Sequence, residues 1–200
     1  MLYFWREDKI ADLRLTIFDC RFMKKILILL LVATFSFSSC EKDDICDANT
    51  STTPRLVIEF HSASANSTSV VQNVTNLKVI GDGMANGIVF STATDGSQYI
   101  FNGSKIYIPL RTDANSTTYS FILNYDNPNP SFVNEDKITF NYTHRDVFVS
   151  RACGYKTVFT LDPIPYTQTA VPATSAKWMT ISVDKSNIDN ENETHITVYF

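Results

Sequence analysis

What this 200-residue chain lacks narrows its function before anything it contains does. No apolar run reaches the ~20 residues of a membrane-spanning helix; the longest, from Ile26 to Phe37, is about a dozen. Downstream of it no amphipathic stretch repeats every 3.6 residues for three turns, which argues against a helical fold. Histidine is limited to His61, His144 and His195, far apart and in no CxxC or HExxH spacing, so no metal site is expected. Neither a GxSxG elbow nor an SxxK motif is present, and Gly81-Asp82-Gly83 is a turn rather than a phosphate loop. Acids such as Glu59, Asp146 and Asp162 occur as in any soluble protein, without a sign of the facing pair that glycosidases use. No catalytic residue, cofactor or metal ligand is expected.

What the chain does have is a leader. Lys24 and Lys25 precede the apolar run, and small residues follow it, the pattern of a secretory signal at residues 23–39. The run ends in Phe37-Ser38-Ser39-Cys40, which resembles the lipobox of bacterial lipoproteins, although Phe37 stands where Leu is usual. The resemblance implies a lipid-modified Cys40, and stable anchoring by acylation takes more than one chain. Next to it, Glu41-Lys42-Asp43-Asp44 resembles the signal that exports Bacteroidetes lipoproteins to the cell surface, with Lys42, Asp43 and Asp44 as its elements. Residues 1–22, with mixed charge, do not fit in front of a signal; the simplest reading is an extension that precedes a start at Met23.

After residue 39 the chain carries 11 Lys and Arg against 17 Asp and Glu, a net charge of −6. That balance argues against nucleic acid, which selects a basic face. Three cysteines remain there. If Cys40 carries lipid, Cys46 and Cys153 are left as an even pair, which suggests a disulfide in an oxidising compartment; two free thiols are the alternative. Residues 40–53 read as an acidic tether and residues 54–200 as one domain.

That domain has the two-residue period of strands. Leu56–Phe60 and Leu77–Ile80 are apolar runs, and Ile88–Phe90 with Tyr99–Phe101 flank the turn signal Asp95-Gly96. Lys105–Leu110 contains Pro109 and is expected at an edge. Tyr119, Phe121 and Leu123 alternate, as do Ile138, Phe140 and Tyr142. Val147–Ser150 and Tyr155–Leu161 follow around Arg151-Ala152-Cys153-Gly154. Pro163, Pro165 and Pro172 mark a loop, Trp178–Val183 and His195–Phe200 are closing strands, and Asp184–Thr194 between them has room for one helical turn. The expected fold is all-β, a single-domain antiparallel β-sandwich of immunoglobulin-like or Greek-key type, with a small β-barrel second. Among the many aromatics, Tyr166 and Trp178 near the proline loop are the candidate binding residues, because exposed rings stack on sugars and anchor interfaces.

Three groups of residues carry a family resemblance: Cys46 with Thr53–Phe60, Ser150–Lys156, and Trp178 with Asn190-Glu191 and His195–Phe200. They resemble a family of uncharacterised lipoproteins from Bacteroidetes, a domain of unknown function. The resemblance implies a lipoprotein with a two-cysteine pattern and brings no activity or ligand. The expectation is a lipid-anchored outer-membrane protein, at the cell surface or alternatively on the periplasmic face. Its first expected role is a non-enzymatic interaction or structural module for an envelope protein partner. Binding of a glycan or other ligand at the surface is the second, and a hydrolase with a hidden site the third.

Overall fold

Alternation in the middle of the chain builds the larger of two sheets. Strands β5 (Ser116–Leu123) and β6 (Asn134–Ser150) pair antiparallel with Tyr119 opposite Ile138 and Thr117 opposite Phe140. Every second residue therefore points the same way, and Tyr119, Phe121, Ile138, Phe140 and Tyr142 are all buried. The computed structural model describes residues 23–31, 46, 50, 52–63 and 69–200. Strands β1 (Leu56–His61), β2 (Val74–Gly81), β3 (Ile100–Gly103) and β4 (Lys105–Ile108) precede this pair. Strands β7 (Gly154–Val171), β8 (Thr180–Val183), β9 (Asn187–Ile188) and β10 (Ile196–Tyr199) follow it.

The strands form a six-stranded sheet in the order β3-β2-β5-β6-β7-β9 and a four-stranded sheet in the order β4-β1-β10-β8. The two sheets pack face to face as a sandwich, and neither closes into a barrel. Phe60, Ile58, Ile106, Ile196 and Val198 of the smaller sheet meet Leu77, Phe121, Phe140, Tyr142 and Phe159 of the larger in one core. Burying each such side chain stabilises the fold by roughly 1.5–3 kcal/mol before chain entropy is counted.

The chain contacts divide the protein into Met1–Ile45 and Cys46–Phe200, with the sandwich in the second unit. In the first, residues 23–31 form an exposed helix; among the described residues no helix is long and apolar enough to cross a membrane.

Several expectations need correction. The sandwich is not wholly antiparallel, because β1 pairs parallel with β10. A parallel neighbour needs a long crossover, and here everything between residues 61 and 196 supplies it. Pro163 and Pro165 do not sit in a loop but inside β7. They fall where the β6–β7 register jumps from Phe140–Tyr166 to Tyr142–Leu161, an irregularity at which a missing N–H costs no ladder bond. Ile88–Phe90 is not a strand, although Ile88 N–H still donates to Val79 O (2.8 Å) and Phe90 N–H to Gln98 O (2.7 Å). The Asp184–Thr194 stretch holds the short strand β9 against β7 instead of a helical turn. Lys105–Ile108 does lie at an edge, ending before Pro109.

The β6–β7 hairpin outruns its sheet. β5 covers β6 only as far as Asn141, and β9 touches β7 only at Phe159 and Thr160. From Arg145 to Ser150 and from Gly154 to Val158 the two strands have mainly each other. The turn between them closes with Gly154 at φ 70°, a conformation that favours glycine, and Cys153 N–H donates to Ser150 Oγ (3.0 Å).

Candidate functional site

The residues singled out from sequence meet different fates. Cys40, Lys42, Asp43 and Asp44 lie outside the described residues, as does most of the 40–53 tether. Cys46 and Cys153 are joined in a disulfide with their Cα atoms 5.0 Å apart. The described positions just after Cys46 stay against the hairpin: Thr157 N–H donates to Thr53 Oγ1 (3.0 Å), and Thr50, Thr52 and Thr53 line a cleft of about 320 Å³ beside the disulfide.

Tyr166 and Trp178 are both half-buried against the core, and both have spent their polar atoms. Tyr166 Oη donates to Ile181 O (3.1 Å), and Trp178 Nε1 donates to Phe121 O (3.2 Å). The Trp178 backbone N–H and Gln168 Nε2 donate to Oδ2 of the fully buried Asp136 (3.1 and 2.7 Å). The Trp178 ring meets Phe200 edge-on at 6.2 Å. This arrangement closes the sandwich at the start of β6 and leaves the rings largely as packing.

A His–acid pair exists as well. His61 Nε2 is 3.4 Å from Glu59 Oε2, which also accepts from Thr194 Oγ1 (3.3 Å), while Lys105 Nζ is 3.1 Å from Oε1. Burial alone would raise the Glu59 carboxyl, but the hydrogen bonds from Lys105 and His61 outweigh it and hold it below the usual range. The carboxylate is thus divided among three donors, a tie across the smaller sheet rather than a poised base.

A polar groove of about 650 Å³ lies at the β3-β2 edge of the larger sheet. Its floor depends on two asparagines in the left-handed region. Asn76 (φ 51°) sits in β2 where the β2–β3 register shifts between Val74 and Leu77, and Asn124 (φ 55°) follows the end of β5. Asparagine tolerates this conformation better than other residues with a Cβ, and such outliers gather at functional sites. The bend is fastened on both sides: Asn76 N–H donates to Asn102 Oδ1 (2.9 Å), and Tyr125 N–H donates to Asn76 O (3.0 Å). Tyr125 is thereby presented at the rim, 39% exposed, with Lys78 Nζ 3.9 Å above its ring centroid. Opposite, the Ser97–Tyr99 turn follows Gly96 at φ 99°. Asp95 Oδ1 accepts from Ser97 Oγ (2.6 Å) and Ser97 N–H (3.1 Å), and these bonds hold its carboxyl below the ordinary value. Asn86, Asn102 and Asp126 complete the polar lining.

Amides and carboxylates around an aromatic rim can exchange several hydrogen bonds with a hydroxyl-bearing ligand while a ring packs on its apolar face. Sequence reading missed this site. Tyr125 stood out only as one aromatic among many, and no pattern announces left-handed asparagines.

Pairing fixes where the groove sits. Lys78 is opposite Ile122, and Ile122 opposite Glu135, so the groove lies level with the start of β6. The disulfide lies at the far end of that strand, some fifteen residues on, roughly 45–50 Å away at ~3.3 Å per residue.

Residues 76–200 match a family described as a family of unknown function (DUF6452). The match begins within β2, yet β1 stands between β4 and β10 in the smaller sheet, so the sandwich extends upstream of it. No curated protein matches, and no solved structure does.

Proposed function

The chain belongs to the DUF6452 family, which carries no activity with it, and we propose that it is a lipid-anchored, non-enzymatic binding module of the outer membrane that takes a hydroxyl-rich ligand, a glycan, in the groove beside Tyr125. The anchor is Cys40, and Lys42, Asp43 and Asp44 direct export to the cell surface; the sequence pattern of residues 23–44 supports both. The observation that carries the ligand reading is the convergence of Asn76, Asn102, Lys78 and Tyr125 on a groove whose backbone is held in two left-handed turns. Its position, at the end of β6 opposite the Cys46–Cys153 clip, suits a module that holds its ligand away from an anchored end.

A module that recruits an envelope protein by strand addition is less well supported. The edge strands β3, β4 and β8 have four residues each and β9 has two, lengths that discourage pairing with another chain.

Acyl-free protein made with Cys40→Ala tests the ligand reading on glycan arrays, followed by calorimetry on any hit. Tyr125→Ala is expected to weaken binding about tenfold or more, ~1.4 kcal/mol, with little change in melting temperature, and Asn102→Ala, which also unfastens the Asn76 bend, to weaken it at some cost in melting temperature. Absence of any bound glycan, or hits insensitive to both substitutions, would overturn it.

A further inference from the structure

We propose that the tip of the β6–β7 hairpin rests on the bilayer, with Phe148 and Tyr155 seated among lipid headgroups; this rests on the reading of Cys40 as the lipidated residue. The two side chains are directly opposite each other across the hairpin and meet edge-on at 5.4 Å. They are 56% and 70% exposed, and among the described residues the two strands have no further ladder partner at this level, although Tyr155 also borders the cleft lined by Thr50, Thr52 and Thr53. Phe148 and Tyr155 share the strand face of Tyr142 and Phe159, which are buried in the core. The apolar stripe therefore runs past the point where the sandwich can cover it, interrupted by a polar layer in which Thr157 Oγ1 donates to Asp146 Oδ1 (2.7 Å).

The occupant follows from reach. Cys46 comes six residues after Cys40, so the chain between them spans at most about 21 Å when fully extended. The disulfide adds 5.0 Å between Cα atoms, and Tyr155 is two residues beyond Cys153. The aromatic pair is thus leashed to within a few tens of ångströms of the acyl chains, whereas the groove lies another 45–50 Å or so along the hairpin. Amphipathic rings favour the interfacial layer of a bilayer.

The test uses the mature lipidated protein in phosphatidylethanolamine–phosphatidylglycerol vesicles, with and without brominated acyl chains. Tyr155→Trp places a reporter at the tip, and native Trp178, bonded to Asp136 at the opposite end of β6, reports from the unsubstituted protein. The expected result is a blue shift and bromine-dependent loss of emission from the tip reporter, with Trp178 emission unaffected. Tip emission that ignores bromine in vesicle-bound protein overturns the proposal alone, and shielding from both bromolipid and aqueous acrylamide would assign the pair to a protein partner or a second copy instead. The anchor is read separately. Protein without acyl mass at Cys40 that fails to float with vesicles, or Cys40→Ala protein that floats as well as the parent, overturns the anchor and the proposal with it. Phe148→Ser added to the Tyr155→Trp protein, at an exposed position, is expected to keep the fold and the acyl anchor while reducing bromine quenching of the tip reporter; undiminished quenching counts against a paired seat in the bilayer.

Discussion

The two ends of the six-stranded sheet are held by different forces. Around the start and middle of β6, Phe121, Ile138 and Phe140 are 0–1% exposed and face the smaller sheet, so apolar packing holds the strands. Around its far end the same alternation continues, but the partners have run out. There the structure uses long-range ties. Lys156 Nζ donates to Asp189 O (3.2 Å), Thr157 N–H donates to Thr53 Oγ1 (3.0 Å), and Cys46 is bonded to Cys153. A sandwich this size can fill a core over part of a 17-residue strand and must secure the remainder by directional or covalent means.

The strongest way to sharpen that contrast is a matched pair of truncations. Phe140→Ala removes a buried ring and is expected to cost about 3–5 kcal/mol in denaturant unfolding, while Phe148→Ala on the same strand should change stability by less than about 0.5 kcal/mol. Comparable losses at the two positions would mean that the arm is packed after all. Removing the covalent tie by Cys46→Ser with Cys153→Ser comes next. Typical native disulfides contribute about 2–4 kcal/mol, and the 107-residue separation puts this one toward the upper part of the entropic range. Hydrogen exchange in that variant should quicken first at Gly154–Thr157 and last at Phe140; uniform acceleration would erase the distinction between the ends.

The smallest expected effect comes from acid. Burial pushes the His195 imidazole below its ordinary value of 6.5, outweighing the nearby Glu193, Asp189 and Glu191 and the Asn190 backbone, which favour the charged form. The unfolded chain takes up this proton first as pH falls. His195 therefore leaves stability untouched above about pH 6.5 and lowers it as pH drops from there toward the depressed folded value. Glu59 and Glu191, whose carboxyls are held below their usual 4.5, lose their contributions in a lower window. A stability profile of His195→Gln that still declines between pH 6.5 and 5 would assign the upper window to another group.

Legibility in the sequence followed the same divide. The core half was plain in Tyr119, Phe121, Ile138, Phe140 and Tyr142, because burial on one face of a strand imposes a period of two. The disulfide was legible from the parity of the cysteines. The parallel β1–β10 pair was not, since nothing in Leu56–Phe60 or His195–Phe200 encodes the direction of a neighbour 138 residues away. Pro163 and Pro165 misled because a register jump excuses them from donating. The groove was hidden for a related reason: it is made by backbone conformation at Asn76 and Asn124, and the same asparagines elsewhere are ordinary turn residues.

The bond between Cys46 and Cys153 also sets the path of mechanical load. Tension applied to the chain ahead of Cys46 passes through the disulfide to the β6–β7 turn, so the bond is a covalent bypass around residues 47–152. A single protease cut between residues 47 and 53 would leave the sandwich still fastened to whatever holds its leading segment, and only a cut ahead of Cys46 or reduction of the bond together with such a nick would shed it.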